Sequence, residues 1–238
     1  MSTAQPTLIL ISGLLCDAVV WQPTAYALSG AMPVVVTDLN QGDTFAEIAA
    51  NILEANPGPL IVVGHSMGAR VALEMIRQAP ERITKLGLVD TGVHALQQGE
   101  AEKRQVLIDL ANDQGMAAVA AQWLPPMVHP DRVEDEVLMQ ALTKMVLRAS
   151  PNIFARQVNA MLQRPEVEAL LAQITCPVLL AVGRQDAWSP ISQHEGMRDL
   201  IANGRLEIIE DAGHFAPLEQ PAAMIVILQS WLNAEDGI

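Results

Sequence analysis

The residues with the clearest chemical potential lie in Gly64-His65-Ser66-Met67-Gly68, a G-x-S-x-G pattern. It directly follows an apolar, β-branched run, Leu60–Val63, and directly opens a stretch of helical period, Met67–Gln78. A serine held between a strand and a helix by so tight a turn must adopt a strained backbone conformation, and any side chain at Gly64 or Gly68 would collide with that turn. The result is an exposed hydroxyl at a helix N-terminus. There the amide of Met67 has no intrahelical partner and the helix dipole favours negative charge, so one donor for a developing oxyanion comes with the motif. The plainer reading of the same residues is a glycine-flanked helix start with Ser66 as its N-cap.

A serine hydroxyl is a weak nucleophile until a base takes its proton and a third group orients that base. Of the five histidines, His65 and His94 are poorly placed for this duty, His129 falls in the strand-poor stretch 94–169, and His194 falls in a helix. His214 follows the last apolar run in Glu210-Asp-Ala-Gly-His-Phe. Asp-Ala-Gly marks a turn, so His214 is expected on a loop at the C-terminal edge of a sheet, where Ser66 also lies. The orienting acid is expected after the preceding strand, and Gly183-Arg-Gln-Asp186-Ala-Trp-Ser-Pro190 supplies Asp186. Asp90, ending the fourth run, is its rival; Asp211 is too close in sequence to His214 to reach the ring. A second oxyanion donor is expected from Ser12-Gly13-Leu14-Leu15-Cys16-Asp17, where Gly13 lets the chain turn back so that the Leu14 amide faces Ser66. Nothing in that loop supplies a base for Cys16, which reads as a small packed residue.

These groups need a scaffold. Six short apolar runs recur, Thr7–Ile11, Pro33–Thr37, Leu60–Val63, Lys85–Val89, Pro177–Val182 and Arg205–Ile209, and most alternate with stretches of helical period. That alternation predicts an α/β fold, a mostly parallel sheet of about six strands flanked by helices. The clearest helix is Met67–Gln78, with Gly68, Ala72, Met75, Ile76 and Ala79 on one face and Pro80 as its stop. From His94 to Ala169 the strand signals fade, and prolines at 125, 126, 130, 151 and 165 interrupt helical spacing. This predicts an all-helical insertion, residues 94–169, after the fourth strand of a core made from 1–93 and 170–238.

Half of the 238 residues are hydrophobic, 17% are charged, and the formal net charge is −13. A disordered chain is excluded, and nucleic acid is an unfavourable partner for so acidic a surface. The insertion holds seven of the 14 basic residues but ten of the 27 acidic ones, a net charge of −3 against −10 for the rest. The opening Met1-Ser-Thr-Ala-Gln-Pro carries no positive charge, and the run Leu8 to Ile11 is far too short for a signal-peptide core or a membrane span, which points to the cytoplasm. Cys16 and Cys176 stand in no metal-like spacing and are expected as thiols. No metal and no cofactor is expected.

Taken together, Ser12-Gly13-Leu14 with Trp21 downstream, Asp38, Gly64–Gly68, Ala79-Pro80-Glu-Arg82, Cys176-Pro177, Gly183-x-x-Asp186 and Gly213-His214-x-x-x-x-Glu219-x-Pro221 resemble the α/β-hydrolase fold family over nearly the whole chain. The resemblance is strongest to small bacterial carboxylesterases, enol-lactonases and the methylesterase that acts on a carrier-bound pimeloyl group. It implies a Ser66–Asp186–His214 triad, a helical cap over the site and an acyl-enzyme route with the oxyanion on the Leu14 and Met67 amides. Two departures stand out. Only six residues precede the first strand where the family usually opens with a hairpin, and Ser12 replaces the family's usual histidine. Met116, Met127, Met139, Met145 and Met161, with Trp123 and Phe154, are available to line an adaptable apolar pocket or to form the core of the insertion. Trp123, Met127 and Trp188 are the candidate substrate-binding residues. Arg148 and Arg156 are available for a carboxylate or an acyl carrier's acidic surface, with a solvated helix face as their plainer use. Hydrolysis of a small or medium carboxylic ester is the leading expectation. A lactonase or carbon–carbon bond hydrolase of the same fold is second. A ligand-binding or signalling protein with a vestigial triad is third.

Overall fold

The structure, a computed structural model, describes residues 5–234; the uncharged start at residues 1–4 lies outside that range. Six strands, β1 (Thr7–Ile11), β2 (Val34–Thr37), β3 (Leu60–His65), β4 (Ile83–Val89), β5 (Val178–Gly183) and β6 (Gly204–Ile209), form one sheet in the order β2-β1-β3-β4-β5-β6. Every pairing among them is parallel. Helices α1 (Gln22–Leu28), α2 (Phe45–Ala55) and α3 (Met67–Gln78) belong to the first half of the chain.

Residue alternation along the strands sorts the core into two layers. Leu8, Leu10, Ile61, Val63 and Leu179 face one side with Leu28 of α1, whereas Ile9, Ile11, Val62, Leu86, Leu88 and Leu180 face the other with residues of α2 and α3. Strands covered on both faces need apolar residues at every position, which is why the sequence shows continuous runs there. Local chemistry sets the helix ends. Thr44 caps α2 by accepting from the Glu47 amide, the Glu47 carboxylate in turn accepts from the Asp43 amide, and Arg82 donates to the carbonyl of Leu53 in the last turn and to those of Asn56 and Gly58 beyond it.

Between β4 and β5 the chain is helical. It forms α4 (Glu100–Trp123), α5 (Glu136–Leu147), α6 (Pro151–Leu162) and the short α7 (Glu168–Leu171), with single 3-10 turns at Pro125–Met127 and Pro130–Arg132. Gly115, at φ 79°, breaks α4 into two helical pieces. The remaining helices are α8 (Ile191–Leu200), α9 (Ala216–Glu219) and α10 (Pro221–Asn233), with α10 completing the layer of α1 through Met224, Leu228 and Trp231. Among the described residues no helix is long and apolar enough to cross a membrane.

Because all six strands run the same way, the loops after β1, β3, β4, β5 and β6 emerge at one edge. The strand order reverses direction between β1 and β3, and such a switch point opens a crevice between diverging connections. The fold therefore gathers residues 12–17, 66, 90, 186 and 214 into one place although they span 203 positions of sequence.

Candidate active site

Ser66 has φ 54° and ψ −117°, a conformation that a non-glycine residue adopts only under constraint. Three hydrogen bonds impose it. The Ser66 amide donates to Val89 O at 2.8 Å, and its carbonyl accepts from the Ala69 amide at 3.1 Å and from Thr91 Oγ1 at 3.0 Å. Space around the turn is as tight as the motif requires. A Cβ on Gly68 would lie 2.5 Å from Ser12 O, and one on Gly64 would lie 2.5 Å from the Ala69 Cα.

The serine hydroxyl lies 2.8 Å from His214 Nε2, and His214 Nδ1 lies 2.8 Å from Asp186 Oδ2. Burial pushes the Asp186 carboxyl up, but the charge and hydrogen bond of His214 and the amides of Ser189 and Trp188 outweigh it and hold the group below its ordinary value. An ionised carboxylate only accepts, so the ring proton belongs on Nδ1 and Nε2 is left to accept from Ser66. The other Asp186 oxygen accepts from the amides of Trp188 at 2.8 Å and Ser189 at 2.9 Å, which fixes its rotamer.

The rival acid does not touch the ring. Fully buried Asp90 accepts from the Gly183 amide at 2.9 Å and the Ala216 amide at 3.1 Å, so it ties the end of β4 to the two loops that carry Asp186 and His214. Burial, with the nearby Asp186 charge, pushes the Asp90 carboxyl well up.

The loop after β1 presses against the serine turn, since a Cβ on Gly13 would lie 3.2 Å from the Ser66 Cβ. Leu15, at φ 58°, turns its amide away to Gln157 Oε1 of α6 at 2.8 Å. Leu14 and Met67 line the same cavity as Ser66 and His214, and Met67 is the first residue of α3, where amides have no intrahelical partner. Ser12, in the place of the family's usual histidine, donates from Oγ to Asp17 O at 2.9 Å and so closes the loop on itself. Cys16 donates to Leu14 O, and burial pushes its thiol far up, which keeps it protonated.

Several hydrogen bonds around His214 are not foreseen from the sequence. His65 donates from Nε2 to the His214 carbonyl at 2.6 Å, and His214 N donates to Met127 O at 2.6 Å. Glu219 accepts from the amides on either side of His214, Gly213 at 3.0 Å and Phe215 at 3.1 Å, and from the His129 amide at 2.7 Å. The signal available for Glu219 was its fixed spacing from His214 in the quoted pattern. Nothing in the sequence marked Gln157.

Above Ser66 lies a cavity of about 300 Å³. Trp123, Met127 and Trp188 all line it, joined by Phe154, Val158 and Met161. Met116 and Met145 instead pack in the core among α4, α5 and α6. Arg148 pairs with Asp17 and Arg156 with Asp43, and neither lines the cavity.

A parallel sheet that presents a serine on a strand–turn–helix elbow beneath a cavity defines the α/β hydrolases as a class. The chain belongs to the alpha/beta hydrolase family, whose model matches residues 8–226. It is 26% identical over 244 residues to a pimeloyl-acyl-carrier-protein methyl ester esterase of Aliivibrio salmonicida, covering 96% of this chain and 93% of that protein. It is 24% identical over 241 residues to a biotin biosynthesis bifunctional protein of Cellvibrio japonicus, covering 95% of this chain but spanning only 47% of that longer protein. Among solved structures, a thermophilic esterase from Thermogutta terrifontis matches with a TM-score of 0.88 at 27% identity, over 95% of this chain and 89% of that one.

Proposed function

We propose that this protein hydrolyses a carboxylic ester of a small or medium acyl substrate through an acyl-enzyme intermediate on Ser66. The observation that carries the reading is the unbroken relay of two 2.8 Å contacts, Ser66 Oγ to His214 Nε2 and His214 Nδ1 to Asp186. In the first half-reaction His214 takes the Ser66 proton as Oγ bonds to the ester carbonyl carbon. The carbonyl oxygen becomes an oxyanion against the Leu14 and Met67 amides, and the alcohol leaves with the proton from His214. In the second half-reaction His214 takes a proton from water, the hydroxide attacks the acyl carbon, and Ser66 leaves with that proton. Asp186 stays ionised throughout and stabilises the imidazolium.

Residues 94–169 serve in this reading as a cap on a core of 1–93 and 170–238, with Trp123, Met127 and Trp188 shaping the acyl pocket. The relatives that are named esterases support the choice of bond. A cavity near 300 Å³ suits a small acyl group.

A fluorophosphonate probe tests the nucleophile: wild type is expected to label and Ser66→Ala is not. Turnover of 4-nitrophenyl esters of graded chain length then tests catalysis, with Ser66→Ala as the blank. Absence of wild-type labelling, or equal labelling of the variant, overturns the assignment; labelling without turnover of any ester or lactone favours a binding protein.

A further inference from the structure

Arg70 has no part in the reaction above. It projects from α3 one turn after Ser66, about 6 Å further along the helix axis, is only 4% exposed, and lines the cavity over the serine. Its Nη2 donates to the His94 carbonyl at 2.8 Å. Its Nη1 is buried and has no hydrogen-bond partner among the described residues. A buried guanidinium nitrogen without an acceptor is costly, and such groups persist where a ligand supplies the acceptor.

The neighbouring acids are committed elsewhere. Glu100 gives Oε1 to Arg104 and Arg164 and Oε2 to Arg164. Glu166 turns Oε1 to the amides of Val167 and Glu168. Burial and the adjacent Arg164 press the Arg70 guanidinium down to about 10, which still leaves it charged at neutral pH. The charged lining of the cavity is thus Arg70, Lys103 and Arg104 against Glu100, in a chain whose formal net charge is −13. Positive charge has been concentrated here against the average of the molecule.

We propose that this wall of the cavity is an anion subsite, in which Arg70 Nη1 donates to a free carboxylate on the same substrate whose ester carbonyl lies at Ser66. Lys103, an exposed residue of the same lining, adds a positive field that draws the anion in, whereas Arg104 is held by Glu100. The substrate class is then a half ester, with one end esterified and the other a carboxylate. The inference rests on the ester-hydrolase reading for the position of the second end. The subsite itself stands on Arg70.

Two measurements test it. Proton release is followed for monomethyl esters of α,ω-dicarboxylic acids of graded length, each beside the methyl ester of the matching monocarboxylic acid. Wild type is expected to favour the half ester at the best length by about ten- to hundredfold in kcat/KM, the worth of one charge-assisted hydrogen bond. Arg70→Met is expected to bring the ratio toward one through KM, and Arg70→Lys to keep part of it. Binding of the same half esters to Ser66→Ala, and to Ser66→Ala with Arg70→Met, is measured by calorimetry and needs no turnover. A tenfold or greater weakening by the second substitution is expected. Equal kcat/KM for the two ester series in wild type overturns the subsite and leaves the esterase reading standing. Arg70-dependent binding without any ester turnover keeps the subsite and removes the esterase reading. Binding that is indifferent to Arg70 overturns the subsite in either case.

Discussion

His65 makes this protein's stability sensitive to acid through a group that takes no proton in the proposed reaction. It is 1% exposed, its Nε2 donates to the His214 carbonyl at 2.6 Å, and its Nδ1 has no partner among the described residues. Burial, and after it the charge of His214, lowers its pKa from 6.5 to about 3. In the unfolded chain it returns to about 6.5. Between those two values the unfolded state holds a proton that the folded state lacks, so stability falls as pH drops from about 6.5 toward 3. At about 1.36 kcal/mol per unit, His65 removes about 2 kcal/mol by pH 5. His194 is likewise lowered by burial to about 4 and removes a similar amount over the upper part of the same window. The raised carboxyl of Asp90 works in the opposite sense, because it favours the protonated folded state, so the comparison must be made between variants. His65→Gln keeps a donor for the His214 carbonyl and removes the titration. Urea unfolding followed by tryptophan fluorescence at several pH values is expected to show the variant losing about 2 kcal/mol less than wild type between pH 8 and pH 5. Parallel curves for the two proteins would refute the reasoning.

Asp186→Asn places an amide against His214 Nδ1 and stabilises the wrong tautomer; kcat is expected to fall by about 10⁴-fold with KM little changed, as steady-state ester kinetics will show. Glu219→Gln can still accept from Gly213 and Phe215, but its amide nitrogen then faces the His129 N–H, so one charge-assisted bond is lost. A loss of about 2 kcal/mol is expected, read as a drop in Tm of about 4–8 °C by calorimetry, and an unchanged Tm would remove Glu219 as the clamp of the His214 loop. Gly68→Ala drives a methyl group to 2.5 Å from the Ser12 carbonyl oxygen. It is expected to cost about 3 kcal/mol or more and to displace the loop that carries Leu14, seen as lost fluorophosphonate labelling in whatever protein remains folded.

The legible part of the architecture is the part written in local periodicity. Each of the six apolar runs forms a strand, and the helical period over Met67–Gln78 forms α3 with those same bounds. Strand ends drift by a residue or two because the ladder, not the apolar run, ends a strand. β3 continues through Gly64 and His65 because Leu88 and Val89 still pair with them. At the site, the glycines around Ser66 and the turn before His214 are local signals with a steric cause. The choice between Asp186 and Asp90 had no such cause. Both are buried acids at the same sheet edge, and only the path of the loop after β5 turns Asp186 toward the imidazole.

The contacts that escaped sequence reading share one property, that they join remote residues. Gln157 meets Leu15 across 142 positions, Glu219 meets His129 across 90, and Lys85 reaches Trp231 across 146. By itself the sequence determined the element types, the layer pattern and the strained serine turn, since these follow from backbone sterics and from the spacing of apolar side chains within a few residues. Tertiary structure alone decided that Arg70 keeps a free guanidinium nitrogen beside the cavity, that Arg148 and Arg156 are spent on Asp17 and Asp43, and that Glu219 brackets His214. The reason is physical: a polar side chain commits its hydrogen bonds to whatever the fold brings within about 3 Å, and that neighbour is set by the packing of whole elements.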